Sequence, residues 1–308
     1  MEVNDVIVKT KHMTKKYGKH KVVKDINMHV QKGSIYGFIG LNGAGKSTCL
    51  RMIAGLTDVS RGTIQLFNET NKRGVNEARK RIGAMIEGPD LYPHMTARQN
   101  LEVVRMQRGI PGKDCISHTL KQVGLEDTGK KKVRTFSLGM KQRLGIAIAL
   151  LSSPELLILD EPINGLDPVG VVEMRQLLKD LSEEHGVTII ISSHILTEVY
   201  HIATHYGIIH HGELIEQCTR EEIEEKSQAY ICLRADDREK AVTIIEEKLD
   251  EKNYEVLEDG TIKLYAYVDN PKVVSRVLHE NGVFIEELTP KHDTLEGYFT
   301  RLVKGASV

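Results

Sequence analysis

The chain has 308 residues, 40% of them apolar, with 42 Lys and Arg against 43 Asp and Glu. That length and apolar content can fill one large domain and a small one, while the balanced charge gives no global field for nucleic acid or an anionic membrane surface. Cys49, Cys115, Cys218 and Cys232 are far apart, so they read as free thiols in a reducing compartment. The start Met1-Glu2-Val3-Asn4-Asp5 lacks the basic and apolar regions of a signal peptide, and no uncharged run reaches the ~18 to 20 residues needed to span a bilayer. The expected location is the cytosol, with any transport pathway on another subunit.

Residues 6 to 12 and 25 to 30 alternate as strands on either side of a turn at Tyr17-Gly18-Lys19. The apolar run Ile35-Tyr36-Gly37-Phe38-Ile39 then meets Gly40-Leu41-Asn42-Gly43-Ala44-Gly45-Lys46-Ser47-Thr48, followed by Cys49-Leu50-Arg51-Met52-Ile53-Ala54. That is strand, loop and helix, with the loop matching G-x-x-x-x-G-K-[ST]. Its glycines turn backbone N–H groups into a nest for phosphate oxygens at the positive end of the helix. Lys46 would neutralise the β- and γ-phosphates and Ser47 would ligate Mg²⁺. The chain is therefore expected to bind a nucleoside triphosphate.

Gly62 to Phe67 reads as a strand. The basic residues Lys72, Arg73, Arg79, Lys80 and Arg81 read as a solvated face rather than a ligand patch. After the strand-like Ile82 to Ile86 the pattern turns helical. Thr96-x-x-Gln99 forms a capping box before Leu101, Val103, Val104 and Met106, a helix closed by Gly109 to Gly112, and further helices are expected around Ser117 to Val123 and from about Gly139 to Leu151. Together they make a helical insert over about 88 to 152. Leu156-Leu157-Ile158-Leu159 and Val187 to Ile191 have the continuous apolar character of strands buried on both faces of a parallel sheet. Helices near 169 to 184 and 195 to 203 would cover them, and a hairpin from Tyr206 to Gln217 ends the first domain at 217. Residues 218–228 form a linker or short helix, and 229–308 follow a β-α-β-β-α-β order. That order predicts a small α+β ferredoxin-like domain, with a last amphipathic helix carrying Leu295, Tyr298, Phe299 and Leu302. His210 and His211 would point to opposite faces of a strand, which disfavours a metal site.

Two further stretches carry chemistry. Asp160-Glu161 ends a buried strand and so sits at the carboxyl edge of the sheet. There Asp160 can hold Mg²⁺ through its water shell, and Glu161 can polarise the water that attacks the γ-phosphate. Phe136-Ser137-Leu138-Gly139-Met140-Lys141-Gln142-Arg143 offers a hydroxyl and a glycine N–H at a helix start, a second phosphate surface. Two such surfaces on one chain imply a nucleotide sandwiched between two copies.

In these motifs and their order the sequence resembles the ATP-binding cassette family over residues 1 to about 217. The resemblance implies a P-loop NTPase cassette with a mostly parallel core sheet, an antiparallel β subdomain and a helical insert. By it, Gly40 to Ser47 is Walker A, Phe136 to Met140 the signature, Leu156 to Glu161 Walker B, Asn164 to Asp167 the D-loop and His194 the switch histidine. Tyr17 matches the aromatic that stacks on adenine. Lys46, Glu161 and His194 would be catalytic, Ser47 and Asp160 would hold the metal, and Tyr17, Gly40 to Thr48, Glu87, Ser137, Gly139 and Asp167 would meet the nucleotide. Two positions depart from the common pattern: FSLGM replaces LSGGQ, and Glu87 stands where the loop into the insert usually has glutamine. In both, and in its short carboxy-terminal domain, the chain is similar to the bacitracin-resistance and lantibiotic-immunity branch. The resemblance then implies an ATPase subunit, peripheral on the inner face of the membrane, that dimerises around ATP and Mg²⁺. It would drive a polytopic permease exporting an antimicrobial peptide or similar amphiphile, with no nucleic acid partner. The rival readings are a soluble cassette ATPase acting on ribosomes or DNA, and a P-loop phosphotransferase.

Overall fold

Alternation near the amino terminus folds into three strands in the computed structural model, which describes residues 6–226, 229–257, 259–292, 298, 299 and 302. The first, β1 (Val6–Tyr17), outruns its sequence pattern because it changes partner along its length. Its end pairs with β2 (His20–Ile26) and its beginning with β3 (His29–Gln31). Residues 25 to 30, expected as one strand, break at this change of partner: Asp25 takes φ 55, and the Asn27 amide donates to the Asp25 carbonyl.

Next come β4 (Ile35–Ile39), buried throughout, α1 (Lys46–Ala54), β5 (Arg61–Leu66), α2 (Lys72–Ala78) and β6 (Ile82–Met85). β5 joins the antiparallel sheet through β1. The basic stretch after β5 is not simply a solvated face. Arg79 donates to the Met52 and Ile53 carbonyls at the end of α1, and Arg81 forms a two-pronged pair with Glu155 at 2.6 and 2.7 Å.

The insert contains α3 (Ala97–Gln107), α4 (Asp114–Gln122) and α5 (Leu138–Leu150). Thr96 and Gln99 make both halves of the capping box. Behind it lies a polar residue that periodicity does not reveal: the buried Asn100 side chain donates to the Tyr92 and Thr96 carbonyls and accepts from the Tyr92 N–H. One amide thus holds the loop entering the insert.

The first unit is completed by β7 (Leu156–Asp160), α6 (Pro168–Glu183), β8 (Thr188–Ser193), α7 (Leu196–Tyr200), β9 (His205–His210) and β10 (Glu213–Thr219). Its large sheet runs β10-β9-β4-β8-β7-β6, parallel except for the β10–β9 hairpin. Strands buried on both faces need apolar cover, and Tyr36, Phe38, Leu156, Ile158 and Ile190 share a core with Leu50 and Ile53 of α1. The His210 and His211 rings do not diverge: His211 leaves the strand at φ 46, and the ring centroids lie 4.0 Å apart.

After Arg220 the chain divides into a second compact unit, with α8 (Arg220–Lys226) spanning the division. This unit contains β11 (Ala229–Ala235), α9 (Arg238–Lys248), β12 (Tyr254–Val256), β13 (Ile262–Leu264), α10 (Pro271–Glu280) and β14 (Ile285–His292). Its antiparallel sheet runs β12-β13-β11-β14, the ferredoxin-like order. Ile231, Leu233, Ile262 and Leu264 of the sheet pack with Ile245 of α9 and Leu278 of α10. Of the expected last helix, Tyr298, Phe299 and Leu302 are helical, and Leu295 lies outside the described residues. Among the described residues no helix is long and apolar enough to cross a membrane.

Asn100→Ala leaves the Tyr92 N–H and the two carbonyls without their buried partner. It should destabilise the first unit by about 2 to 3 kcal/mol, read as a lower urea midpoint; an unchanged midpoint would show that water serves the loop equally well.

Candidate functional site

Parallel strands deliver their carboxyl ends to one edge of a sheet, and three of those ends carry the chemistry here. β4 leads into the glycine-rich loop, β7 into Asp160-Glu161, and β8, paired between them, into Ser192-Ser193-His194. Ile39 is in register with Ser193 and Asp160 with Ser192. A cleft of about 360 Å³ at this edge is lined by Asn42, Gly43, Ala44, Gly45, Lys46, Ser47, Thr48, Glu161 and His194, together with Val22 and Asn164.

The loop's shape depends on absent side chains. Gly45 has φ 107, and a Cβ on Gly40 would lie 2.4 Å from the Ile209 carbonyl oxygen. Helix α1 starts at Lys46 with no side-chain cap, so its first N–H groups have no side-chain acceptor. Cys49 is packed inside the same helix, where burial pushes its thiol pKa far up and keeps it neutral.

Lys46 is buried, with its Nζ 2.6 Å from the Gly40 carbonyl, 3.4 Å from that of Leu41 and 3.3 Å from Glu161 Oε1. The other oxygen of Glu161 lies 2.8 Å from His194 Nδ1. One carboxylate therefore links the loop lysine to the histidine. Glu161 also has φ 52, a conformation costing a non-glycine residue about 1 kcal/mol or more. Its N–H donates to Ser192 Oγ at 3.0 Å, and that hydroxyl donates to buried Asp160 Oδ1 at 2.5 Å. Ser192 thus fixes the Asp160 carboxylate and the backbone of Glu161, a role visible only in the β7–β8 register.

Ser137, Gly139 and Asp167 are elsewhere. With Leu138, Met140 and Leu166 they line a second cleft, of about 700 Å³, that shares no lining residue with the first. Ser137 and Asp167 also do local work as helix caps, accepting from the Met140 N–H at 3.2 Å and the Gly170 N–H at 2.9 Å. Tyr17, at the exposed end of β1, and Glu87, just past β6, line neither cleft. The Lys15 ammonium lies 5.0 Å from the Tyr17 ring centroid. Glu87 makes an ion pair with Arg51 of α1.

The family model described as ABC transporter matches residues 23–164. The bacitracin transport ATP-binding protein of Bacillus licheniformis is 44% identical over 302 residues, covering 98% of this chain and 99% of that protein. The chain belongs to the ABC transporter ATP-binding family. The lantibiotic transport ATP-binding protein SrtF of Streptococcus pyogenes is 44% identical over 211 residues, 68% of this chain and 89% of the relative. Among solved structures, a dimeric cassette in a post-hydrolysis state with ADP and Pi matches with TM-score 0.61 and 27% identity, over 70% of this chain and 99% of that one. As a member of this family the chain is an ATP-binding, ATP-hydrolysing subunit.

The residues present fit both halves of a metal–nucleotide complex. The uncapped α1 terminus and the Gly40 and Gly45 cradle suit phosphate oxygens. Ser47 and Asp160 offer a hydroxyl and a carboxylate, hard oxygen donors of the kind Mg²⁺ takes while keeping several waters.

Ser192→Ala removes the acceptor of the Glu161 N–H and the donor to Asp160 together. It should lower kcat for ATP hydrolysis by about tenfold, near 1.4 kcal/mol in barrier, with a smaller change in ATP affinity; wild-type turnover would contradict the positioning role.

Proposed function

We propose that two copies of this chain close around two ATP molecules, each copy offering its P-loop cleft to one nucleotide and its signature cleft to the other. They would power a polytopic permease that exports a peptide antibiotic of the bacitracin or lantibiotic kind. The observation that carries the dimer is the presence of two separate clefts on one chain, each holding some of the residues a nucleotide would need. The cargo class rests on the near full-length similarity to a bacitracin transport protein. On this reading the subunit sits against the membrane through its permease.

Glu161 lies between the Lys46 ammonium and His194. Phosphate oxygens entering the loop would draw Lys46 away, freeing the Glu161 carboxylate to accept a proton from the attacking water. His194, held through Nδ1 by Glu161, would keep its other ring nitrogen for the γ-phosphate. Ser47 and Asp160 would hold Mg²⁺, which when bound supplies positive charge for the β- and γ-oxygens. Adenine would stack on Tyr17, a contact that orients the nucleotide without reading its base strictly. Most of the catalysis is positioning and electrostatics.

Glu161→Gln keeps the shape and the His194 contact but loses the base. Turnover should fall by roughly 10² or more, while ATP binding persists and ATP-dependent dimers accumulate, read by light scattering. Near-normal phosphate release from that variant would remove Glu161 from the chemical step, and formation of a phosphorylated acceptor instead of free phosphate would favour a phosphotransferase.

A further inference from the structure

Glu87 and Arg51 form an ion pair that neither cleft contains. Glu87 comes after β6 with φ 64, and the next residue, Gly88, has φ 93, so the chain turns sharply as it leaves the sheet for the insert. A glutamate in the left-handed region needs something to hold it there. Arg51 does so from the last turn of α1, the helix that begins at Lys46.

Register and helix geometry set the placement relative to the phosphates. Met85 pairs with Leu159, so Glu87 and Glu161 follow the ends of two neighbouring strands, β6 and β7, whose axes run about 4.8 Å apart. Arg51 is five residues after Lys46, about 7.5 Å along α1. Both charges are therefore close enough for a triphosphate to feel them within a Debye length of about 8 to 10 Å. Glu87 is 65% exposed and Arg51 33%, so solvent weakens the pair's contribution to folding. It does not remove the effect of leaving one carboxylate unopposed beside the triphosphate's negative charge.

We infer that Arg51 is a positioning residue that neutralises Glu87 and fixes it at the mouth of the insert, which is what lets a glutamate stand beside the triphosphate. The pair joins the phosphate-bearing helix to the loop entering the insert, so loss of Arg51 acts through Glu87 and not through the nucleotide directly. This inference rests on the reading that the phosphates occupy the P-loop.

The test is steady-state ATP hydrolysis by the purified full chain at low and high salt. Arg51→Gln should raise KM for ATP about three- to tenfold at low salt, with most of the change in KM and little of it left at high salt. Arg51→Lys keeps the charge and should stay near wild type. Adding Glu87→Gln to Arg51→Gln should bring KM back to that of Glu87→Gln alone, and exchanging the charges with Arg51→Glu and Glu87→Arg should restore the KM that Arg51→Glu raises. An Arg51→Gln defect that persists without Glu87, or no defect at low salt, would overturn the inference. Lys46→Ala separates the two claims: if it binds ATP as tightly as wild type, the P-loop reading fails. If it loses ATP while the Arg51 effect ignores Glu87, only this inference fails.

Discussion

The register of β4, β8 and β7 is the constraint on which the rest depends. Each strand is buried on both faces, so none can slip without exposing apolar side chains or stranding backbone hydrogen bonds. With Ile39 beside Ser193 and Asp160 beside Ser192, the loop lysine, the paired carboxylates and the histidine must leave the sheet at one edge. The loops beyond these strand ends can be irregular, even strained, because the sheet beneath is rigid. The left-handed Glu161 is an instance, held by a serine from the neighbouring strand.

Charge is balanced around the loop lysine. Lys46 is buried and is satisfied by two carbonyls and a carboxylate. Burying an ammonium without such partners would cost several kcal/mol. On the proposed reading the same carboxylate is the base that hydrolysis needs, so phosphate binding and base release are one event. Beside the site a second balanced pair, Arg51 with Glu87, keeps another carboxylate from opposing the nucleotide.

How much of this was legible in the sequence depended on whether the signal was local. The strand, glycine loop and helix at 35–54, the capping box at Thr96, and the order of elements after Arg220 each declare themselves within a few residues, and they folded as expected. The sequence bounds of the first strands were wrong because β1 changes partner midway, a choice made by β2, β3 and β5 together. Arg79 and Arg81 looked like surface charge because their acceptors, at 52, 53 and 155, are remote in the chain. Ser192 and Arg51 also have remote partners, at 160, 161 and 87, whereas the Asn100 amide bonds nearby Tyr92 and Thr96 from a buried helix position that periodicity marks only as polar. Each is an ordinary residue type whose importance comes from what tertiary packing sets opposite it. Strand alternation does not continue into the β9–β10 turn, where His211 takes φ 46 and its ring approaches that of His210.

On the proposed reading, one chain carries parts of two different nucleotide sites. Mixing copies that carry Lys46→Ala with copies that carry Ser137→Arg tests this most directly, because a mixed dimer concentrates both lesions in one site and leaves the other intact. Each variant alone should be inactive, and the mixture should regain a measurable fraction of wild-type ATP hydrolysis. No recovery from mixed dimers that demonstrably form would contradict the division of the site between copies.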